Sequence, residues 1–229
     1  MSNPSFVQSN STQGTTTNSL AFGANVTAGN LIIAIIAGQV DNGVTPSPSM
    51  FVDSQGNTWT TVYFDSTYGD WIGYAVAGST GADTVYFYPG GDNTPLDGDC
   101  SLFSIIEVTN WSTVDTQQAL GWVAGGSANP FTWTDTAAQN NELAIGYMAY
   151  YSYPGAGSPT VIPDAPWNAL YNSGQGAVVW AVVPSGTVTF SLGQTGGLGY
   201  YHHGDILIKG PSAAPSGVTN SLMMVGLGI

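Results

Sequence analysis

Short runs of β-branched and aromatic residues recur along the chain, separated by clusters of Gly, Pro, Asn and Asp. Such runs are typical of strands and such clusters are typical of turns, whereas apolar residues at helical spacing are nearly absent. The pattern therefore predicts an all-β protein. The predicted strands are residues 5–9, 31–38, 58–64, 71–77, 84–88, 102–108, 116–123, 142–150, 169–172, 177–183, 187–192 and 205–209.

Two of these segments indicate how the strands are layered. Leu31 to Ala37 is apolar at every position, as in a strand that is covered on both faces. Residues 58–64 mix polar and apolar side chains, as in a half-exposed strand. We therefore predict two layers, arranged as a two-sheet β-sandwich or jelly-roll-like fold.

A faint internal repeat divides the chain. Four segments of the first half recur in outline and in the same order in the second half: 25–36 at 135–148, 57–63 at 165–171, 71–78 at 178–186 and 83–87 at 186–190. A unit of about four or five strands is too small to bury its face alone, so the two units are expected to pack together or interleave. The prediction is a sandwich at residues 18–209, with pseudo-repeated halves at 18–112 and 113–209.

The two ends of the chain differ from this central part. Residues 1–17 are rich in Ser, Thr, Asn and Gln and are predicted to form an N-terminal arm with one edge strand. Residues 210–229 combine a semi-extended linker with an apolar C-terminal assembly tail. An exposed apolar terminus promotes aggregation, so we expect it to contact another subunit of a homo-oligomer, with docking on its own sandwich and disorder as the alternatives. The assembly residues are Leu222, Met223, Met224, Val225, Leu227 and Ile229.

The charge balance excludes several classes of function. The chain of 229 residues has 14 acidic side chains and one basic side chain, Lys209, which gives a formal net charge of −13. Contact with phosphate needs clustered Lys and Arg, so neither nucleic acid nor a membrane is an expected partner. A P-loop lysine and an arginine clamp are excluded for the same reason. The single cysteine, Cys100, cannot form an internal disulfide.

One acidic loop is a candidate cation site. Residues 90–99 carry carboxylate and amide oxygens on a Gly-rich backbone, and Ca²⁺ prefers oxygen ligands of this kind. The spacing differs from that of an EF-hand, and a solvated loop is the alternative interpretation. Calcium is thus the one cofactor candidate, with ligands Asp92, Asn93, Asp97 and Asp99.

Aromatic residues suggest a second candidate site. The ring face of Tyr or Trp can accept the apolar face of a sugar, and loops of a sandwich are where binding residues collect. Packing in the core is the alternative for each ring. The candidate glycan-binding residues are Tyr150, Tyr151, Tyr153 and Trp167.

The pair His202–His203 with Asp205 is the remaining cluster that suggests metal or acid–base chemistry. Adjacent residues of a strand point to opposite faces, so both imidazoles reach one ion only if the backbone bends. The interpretation that we favour is a surface histidine beside a packed histidine. No Gly-x-Ser-x-Gly motif is present, and most acids lie in turn-like contexts where Asp bonds local amides. The sequence therefore predicts no catalytic residue and no enzyme.

Several of the repeated segments resemble a known group of proteins. They are similar to duplicated β-sandwich domains of bacteriophage virion structural proteins and bacterial surface proteins. The matching pieces are Val26-Thr-Ala-Gly-Asn-Leu-Ile-Ile-Ala, Asp53-Ser-Gln-Gly-Asn-Thr-Trp, Tyr74-Ala-Val-Ala-Gly and Asp83-Thr-Val-Tyr-Phe.

The resemblance implies a structural or adhesive module. Combined with the absence of a recognisable signal peptide at the N-terminus, it leads us to expect a non-enzymatic virion or extracellular protein, either a capsid decoration or a tail or fibre component. The expected partners are copies of itself and other virion proteins. The alternatives are a carbohydrate-binding adhesin module, with a glycan as partner, and a subunit of an extracellular filament.

Overall fold

The computed structural model describes residues 3–13, 18–37, 50–65, 69–88, 102–123, 130–151, 160–163, 165–173, 176–195 and 200–211. The regular structure of these residues consists of strands, with no helix and therefore none that could span a membrane. The first eight strands are β1 (Ser5–Thr12), β2 (Ser19–Ala21), β3 (Leu31–Ala37), β4 (Phe51–Asp53), β5 (Trp59–Asp65), β6 (Asp70–Val76), β7 (Thr84–Phe87) and β8 (Leu102–Thr109). The next eight are β9 (Thr113–Val123), β10 (Phe131–Ala137), β11 (Glu142–Tyr151), β12 (Thr160–Pro163), β13 (Asn168–Ser173), β14 (Gly176–Val183), β15 (Gly186–Thr195) and β16 (Tyr200–Lys209).

The two halves of the chain share one sheet topology. Strands β1 to β8 form a five-stranded sheet of order β1-β8-β3-β6-β5 and a three-stranded sheet of order β2-β7-β4. Strands β9 to β16 form sheets of order β9-β16-β11-β14-β13 and β10-β15-β12. Adding eight to each label of the first half reproduces the order of the second half. The neighbouring strands pair antiparallel throughout.

The edge strands β5 and β13 each contain a β-bulge, at corresponding positions of the two halves. The register of β5 shifts between Thr61 and Tyr63, so Val62 lies in a bulge, and the register of β13 shifts in the same way around Leu170. Three residues before each bulge is a buried tryptophan, Trp59 or Trp167. A bulge redirects the side chains that follow it, so the two edge strands present their residues alike.

The buried apolar residues form three separate cores, one within each half and one between the halves. The first core contains Phe22, Val26, Ile32, Ala34, Ile36, Met50, Phe51, Trp59, Trp71, Val85 and Phe87, among others. The second core contains Trp133, Ala144, Met148, Trp167, Val179, Val188, Phe190 and Leu192, among others. The central core joins both five-stranded sheets through Leu31, Ile33, Ile35, Ile72, Ile106, Leu143, Ile145, Tyr147, Val178, Ile206 and Ile208.

The prediction of an all-β sandwich is confirmed, but the layering differs from the two layers that we expected. Two five-stranded sheets pack against each other, and each carries a three-stranded sheet on its other side, which makes four layers. The apolar strand β3 explains the difference. Its alternate residues serve different cores, since Ile32 and Ile36 lie in the first core while Ile33 and Ile35 lie in the central core.

Four strands are missing from the sequence-based prediction, and all four are outer strands of the three-stranded sheets. They are β2, β4, β10 and β12, whereas the middle strands β7 and β15 were predicted. Strands of three or four residues carry little periodicity. The longer β10 alternates threonine with buried residues, but one of these residues is Asp135, so the segment is less apolar than the strands that the sequence predicts. In addition, β16 begins at Tyr200 and not at Asp205.

Strand β1 lies within residues 1–17, for which the sequence predicts an N-terminal arm. Strand β1 pairs with β8 at the edge of the first five-stranded sheet, and the short connection from β8 to β9 lies at residues 110–112. Gly210 and Pro211 follow β16, and the remaining residues of the predicted tail lie outside the described part of the chain.

Gly146 on β11 provides a test of packing in the second core. A Cβ atom at this position would lie 2.5 Å from Cδ1 of Phe190 and 3.2 Å from Cζ2 of Trp133. The Phe190 ring cannot easily move away because it stacks on Trp133 and Trp167, with ring centroids at 4.9 and 4.5 Å. We expect Gly146→Ala to lower the free energy of unfolding by about 1–3 kcal/mol in chemical denaturation.

Gly23→Ala is the matched control, because no atom lies within 4 Å of a Cβ built at Gly23. This variant is expected to unfold at the same denaturant concentration as the wild-type protein. Equal unfolding midpoints for the two alanine variants would contradict the packing that we describe for the second core.

Candidate functional site

Strand β16 carries the histidine pair and lies between β11 and β9 in the second five-stranded sheet. Its alternate side chains point into different cores. His202 points toward the central core, where it meets Asp70 of the first half. His203 and Asp205 point the other way, toward Trp133 of the three-stranded sheet. The two imidazoles are therefore on opposite faces of the sheet and do not converge on one ion.

His202 forms a polar link between the two halves of the protein. Its Nδ1 lies 3.1 Å from Oδ1 of Asp70, which is the first residue of β6. The two side chains are only 4% and 0% exposed. A buried carboxylate needs a partner of this kind because burial removes its hydration. The pair thus connects the two five-stranded sheets at a defined position.

His203 belongs to the aromatic part of the second core. Its ring centroid lies 4.7 Å from that of Phe131 and 5.2 Å from that of Trp133. Burial, with a smaller contribution from the neighbouring His202, lowers the pKa of His203 to about 4. The imidazole is therefore neutral at neutral pH and packs as an aromatic ring. Our expectation of a surface histidine is wrong, since both imidazoles are only 3% exposed.

Asp205 forms a buried carboxyl pair with Asp135 of β10. The indole Nε1 of Trp133 donates to Oδ1 of Asp205 at 2.9 Å. Burial, together with a hydrogen bond and charge repulsion from Asp135, raises the pKa of Asp205 to about 8. Two carboxyl groups that share a proton can serve as an acid–base pair when a substrate can reach them. Here both carboxyl groups lie between the five-stranded and the three-stranded sheet of the second half. Asp205 is 0% exposed and Asp135 is 8% exposed.

The first half holds a fully buried carboxylate of its own in β8. Oε1 of Glu107 accepts the backbone amide of Thr27 at 2.8 Å and the side-chain amide of Asn30 at 2.6 Å. Oε2 accepts the side-chain amide of Gln8 at 2.7 Å. These donors come from β1 and from the turn before β3, so Glu107 fastens both segments to the sheet.

Asp53 does the same for the turn between β4 and β5. Oδ1 accepts the backbone amides of Gln55 and Asn57, both at 3.0 Å, and Oδ2 accepts the indole of Trp59 at 2.7 Å. The short aspartate side chain thus replaces backbone partners within the turn. This arrangement matches the role in turns that the sequence indicated for most of the acids.

The structure also gives the positions of the other predicted site residues. Trp167 lies in the second core, 7% exposed, with one ring face stacked on Phe190, so that face is not available to a sugar. Tyr150 and Tyr151 belong to β11, where they pair with Tyr201 and Tyr200 of β16. Outside the described residues lie Tyr153, the calcium-loop residues Asp92, Asn93, Asp97 and Asp99, and the assembly residues Leu222, Met223, Met224, Val225, Leu227 and Ile229.

Within the described ranges, no group of three or more His, Cys, Asp or Glu side chains is arranged to hold a metal ion. Sequence reasoning missed the partners Asp70 and Asp135 because they come from strands far away along the chain. One signal for Asp135 was present in the sequence. The segment Thr132-Trp-Thr-Asp-Thr136 alternates as a strand does and places Trp133 and Asp135 on one face.

Comparison of the chain with protein-family profiles, curated proteins and solved structures finds no match. The candidate site must therefore be interpreted from its own geometry.

The raised pKa of Asp205 predicts how the stability of the protein depends on pH. Its pKa is higher in the folded protein than the ordinary value of 3.8, so the folded state keeps a proton that the unfolded chain has released. The contribution of Asp205 therefore lowers the free energy of unfolding as pH rises from about 4 to about 8, by up to about 1.4 kcal/mol per pH unit. The lowered pKa of His203 acts in the opposite direction between about pH 4 and 6.5.

The variant Asp205→Asn isolates this contribution, because an amide can still accept the Trp133 indole but has no proton to lose. We expect the variant and the wild-type protein to have similar stability near pH 4. The variant should become progressively more stable than the wild type as pH rises to 8, as measured by urea unfolding at several pH values. A stability difference that does not change with pH would show that Asp205 is ionised in the folded protein.

For the Asp70–His202 pair, we expect the single variant to lose more stability than the double variant. Asp70→Ala removes the carboxyl group from beside a buried imidazole, so we expect a loss of about 1–3 kcal/mol in the free energy of unfolding. The double variant Asp70→Leu/His202→Leu replaces the pair by apolar groups and should be close to the wild type, within about 1 kcal/mol. If the double variant loses as much stability as Asp70→Ala, the pair does not act as a unit.

Proposed function

We propose that the protein is a non-enzymatic structural component of a virion, as a capsid decoration or a part of a tail or fibre. The observation that carries this proposal is the position of most of the described carboxyl groups. They lie inside the layers and bond the protein's own groups, as Asp53 does with Trp59 and Asp205 with Trp133. Carboxyl groups used in this way support the fold and are not directed toward a substrate.

The layering supports the same proposal. Each five-stranded sheet is covered on both faces, and the buried interior extends through three cores. Apolar burial of this extent stabilises a chain that has no internal disulfide. Such a protein is suited to a scaffold that must persist outside a cell.

The charge of the chain supports assembly with proteins. Its one basic side chain, Lys209, is bound to Asp115 at one end of the second five-stranded sheet. The chain thus has no cluster of basic side chains to offer to nucleic acid or anionic lipid. Partners are expected to be copies of this chain and other virion proteins.

A carbohydrate-binding module is the second candidate, and one observation favours it. Tyr86 and Tyr88 are half-buried on the outer side of β7, with ring centroids 6.1 Å apart and planes inclined by 10°. The exposed Val52 of β4 lies opposite Tyr86. Parallel aromatic rings beside an apolar side chain can accept the apolar face of a sugar. Tyr86 and Tyr88 thus add a second set of candidate glycan contacts to those predicted from the sequence.

Fractionation of a lysate from the source cells tests the proposal. We expect the chain to sediment with virus particles in a density gradient, at a constant ratio to the major capsid protein measured by quantitative mass spectrometry. A chain that remains with cell envelopes and is released by free sugar would support the adhesin instead. A chain found in neither fraction, free in the soluble pool, would contradict both functions.

A further inference from the structure

Three side chains meet at one end of the second five-stranded sheet: Lys209 from β16, Asp115 from β9 and Glu142 from β11. The Nζ of Lys209 contacts Oδ1 of Asp115, and Glu142, the first residue of β11, lies beside the end of β16 that carries Lys209. Glu142 is fully buried. The side chains of Asp115 and Lys209 are 8% and 25% exposed. The amine of Lys209 and the carboxyl group of Asp115 are therefore in contact, and a buried acid lies next to them.

The backbone around the cluster holds both carboxyl groups in place. The amide of Ala138 donates to Oδ2 of Asp115 at 2.9 Å, and the amide of Gln139 donates to Oε1 of Glu142 at 2.7 Å. The two donors are neighbours in the turn between β10 and β11. The carboxyl groups are thus oriented by one short segment before any reaction.

A bulge in β9 brings Asp115 to this position. Ile208 of β16 pairs with Val114, whereas Ile206 pairs with Gln117, so β9 has one extra residue in this interval. An extra residue in one strand of an antiparallel pair redirects a side chain. Asp115 lies in this extra segment and reaches Lys209 within the same strand pair.

The first half has a bulge at the corresponding place in β1, but no lysine lies beside it. Strand β1 has a bulge at Val7, between the pairs of Phe6 and Gln8 with β8. Val7 is 43% exposed, and the residue that corresponds to Lys209 is Thr109. The bulge alone therefore does not require an ion pair. The second half has Asp115 and Lys209 at the positions where the first half has Val7 and Thr109.

We propose that Lys209 and Asp115 condense to an intramolecular amide bond, between Nζ of Lys209 and Cγ of Asp115, with Glu142 as the acid–base residue. The bond would join the first and last strands of the second half. Such a bond provides the covalent reinforcement that the single cysteine of the chain cannot provide.

The reaction balances without any co-reactant. The ammonium of Lys209 and the carboxylate of Asp115 give an amide and one water molecule. One bond forms, between Nζ and Cγ, and one Cγ–O bond breaks. Of the three protons on the ammonium, one stays on the amide nitrogen and two leave with the carboxylate oxygen as water. Glu142 accepts protons from nitrogen and passes them to the departing oxygen.

The environment of Glu142 suits this transfer. Burial, with a further contribution from Asp115, raises the pKa of Glu142 to about 7, so it can both hold and release a proton near neutrality. Burial alone would raise the pKa of Asp115, but hydrogen bonds from Lys209 and Ala138 lower it overall. The reaction begins from an ion pair whose two groups are already in contact. No translational or rotational entropy is therefore lost in bringing the two groups together.

Two glutamine variants of equal sequence mass provide the decisive experiment. Glu142→Gln removes the acid–base residue, whereas Glu107→Gln changes the buried glutamate of the first half. By intact mass spectrometry under denaturing conditions, Glu107→Gln and the wild type should each weigh one water molecule less than their sequences. Glu142→Gln should have its full sequence mass. Far-UV circular dichroism establishes whether each variant has folded.

Digestion with a lysine-specific protease in denaturant gives an independent measurement. Lys209 in amide linkage is not a substrate, so the wild-type chain should remain uncut, whereas Asp115→Ala should be cut after Lys209. A folded wild-type protein with its full sequence mass and with cleavage after Lys209 would overturn the proposal. A folded Glu142→Gln variant that lacks one water would overturn the role of Glu142. If Glu142→Gln does not fold, the wild-type mass and digestion still decide whether the bond exists.

Discussion

Burial of both faces of the two five-stranded sheets is the constraint on which the rest of the structure depends. Ile33 and Ile35 of one sheet and Leu143 and Ile145 of the other form the central core. Each Å² of apolar surface removed from water contributes about 25 cal/mol, so a face of this kind cannot remain in solvent. The two halves must therefore pack together, and each also requires its own three-stranded sheet to cover the opposite face.

Polar groups enter these apolar layers only where a partner is provided. Asp70 meets His202 between the halves, and Glu107 is held by three amide donors within the first half. A carboxyl group without such partners would be costly at these depths. Because the partners are far from these carboxyl groups along the chain, the polar contacts also select one strand arrangement among several that would bury similar apolar area.

The sequence predicts the strands that are long and apolar, and β3 is the clearest case. It cannot show that the two faces of β3 lie in different cores, because an unbroken apolar run looks the same in two layers and in four. The outer strands of the three-stranded sheets are harder to predict. Three of them have only three or four residues, and the fourth, β10, is rich in threonine. For His202 and His203 the strand rule predicts opposite directions, yet their burial depends on Asp70 and Phe131, whose positions follow only from the tertiary structure.

The pairing of first and last strands determines how each half would respond to a pulling force. Ser5 pairs with Thr109 and Thr113 pairs with Lys209, so the chain enters and leaves each half at the same end of an antiparallel pair. Tension on these ends would peel the outer strand away one hydrogen-bonded pair at a time, which is the weak direction of a sheet. In the second half the contact between Lys209 and Asp115 lies where peeling would begin, whereas in the first half Val7 provides no such clamp. Under load the first half would therefore open before the second.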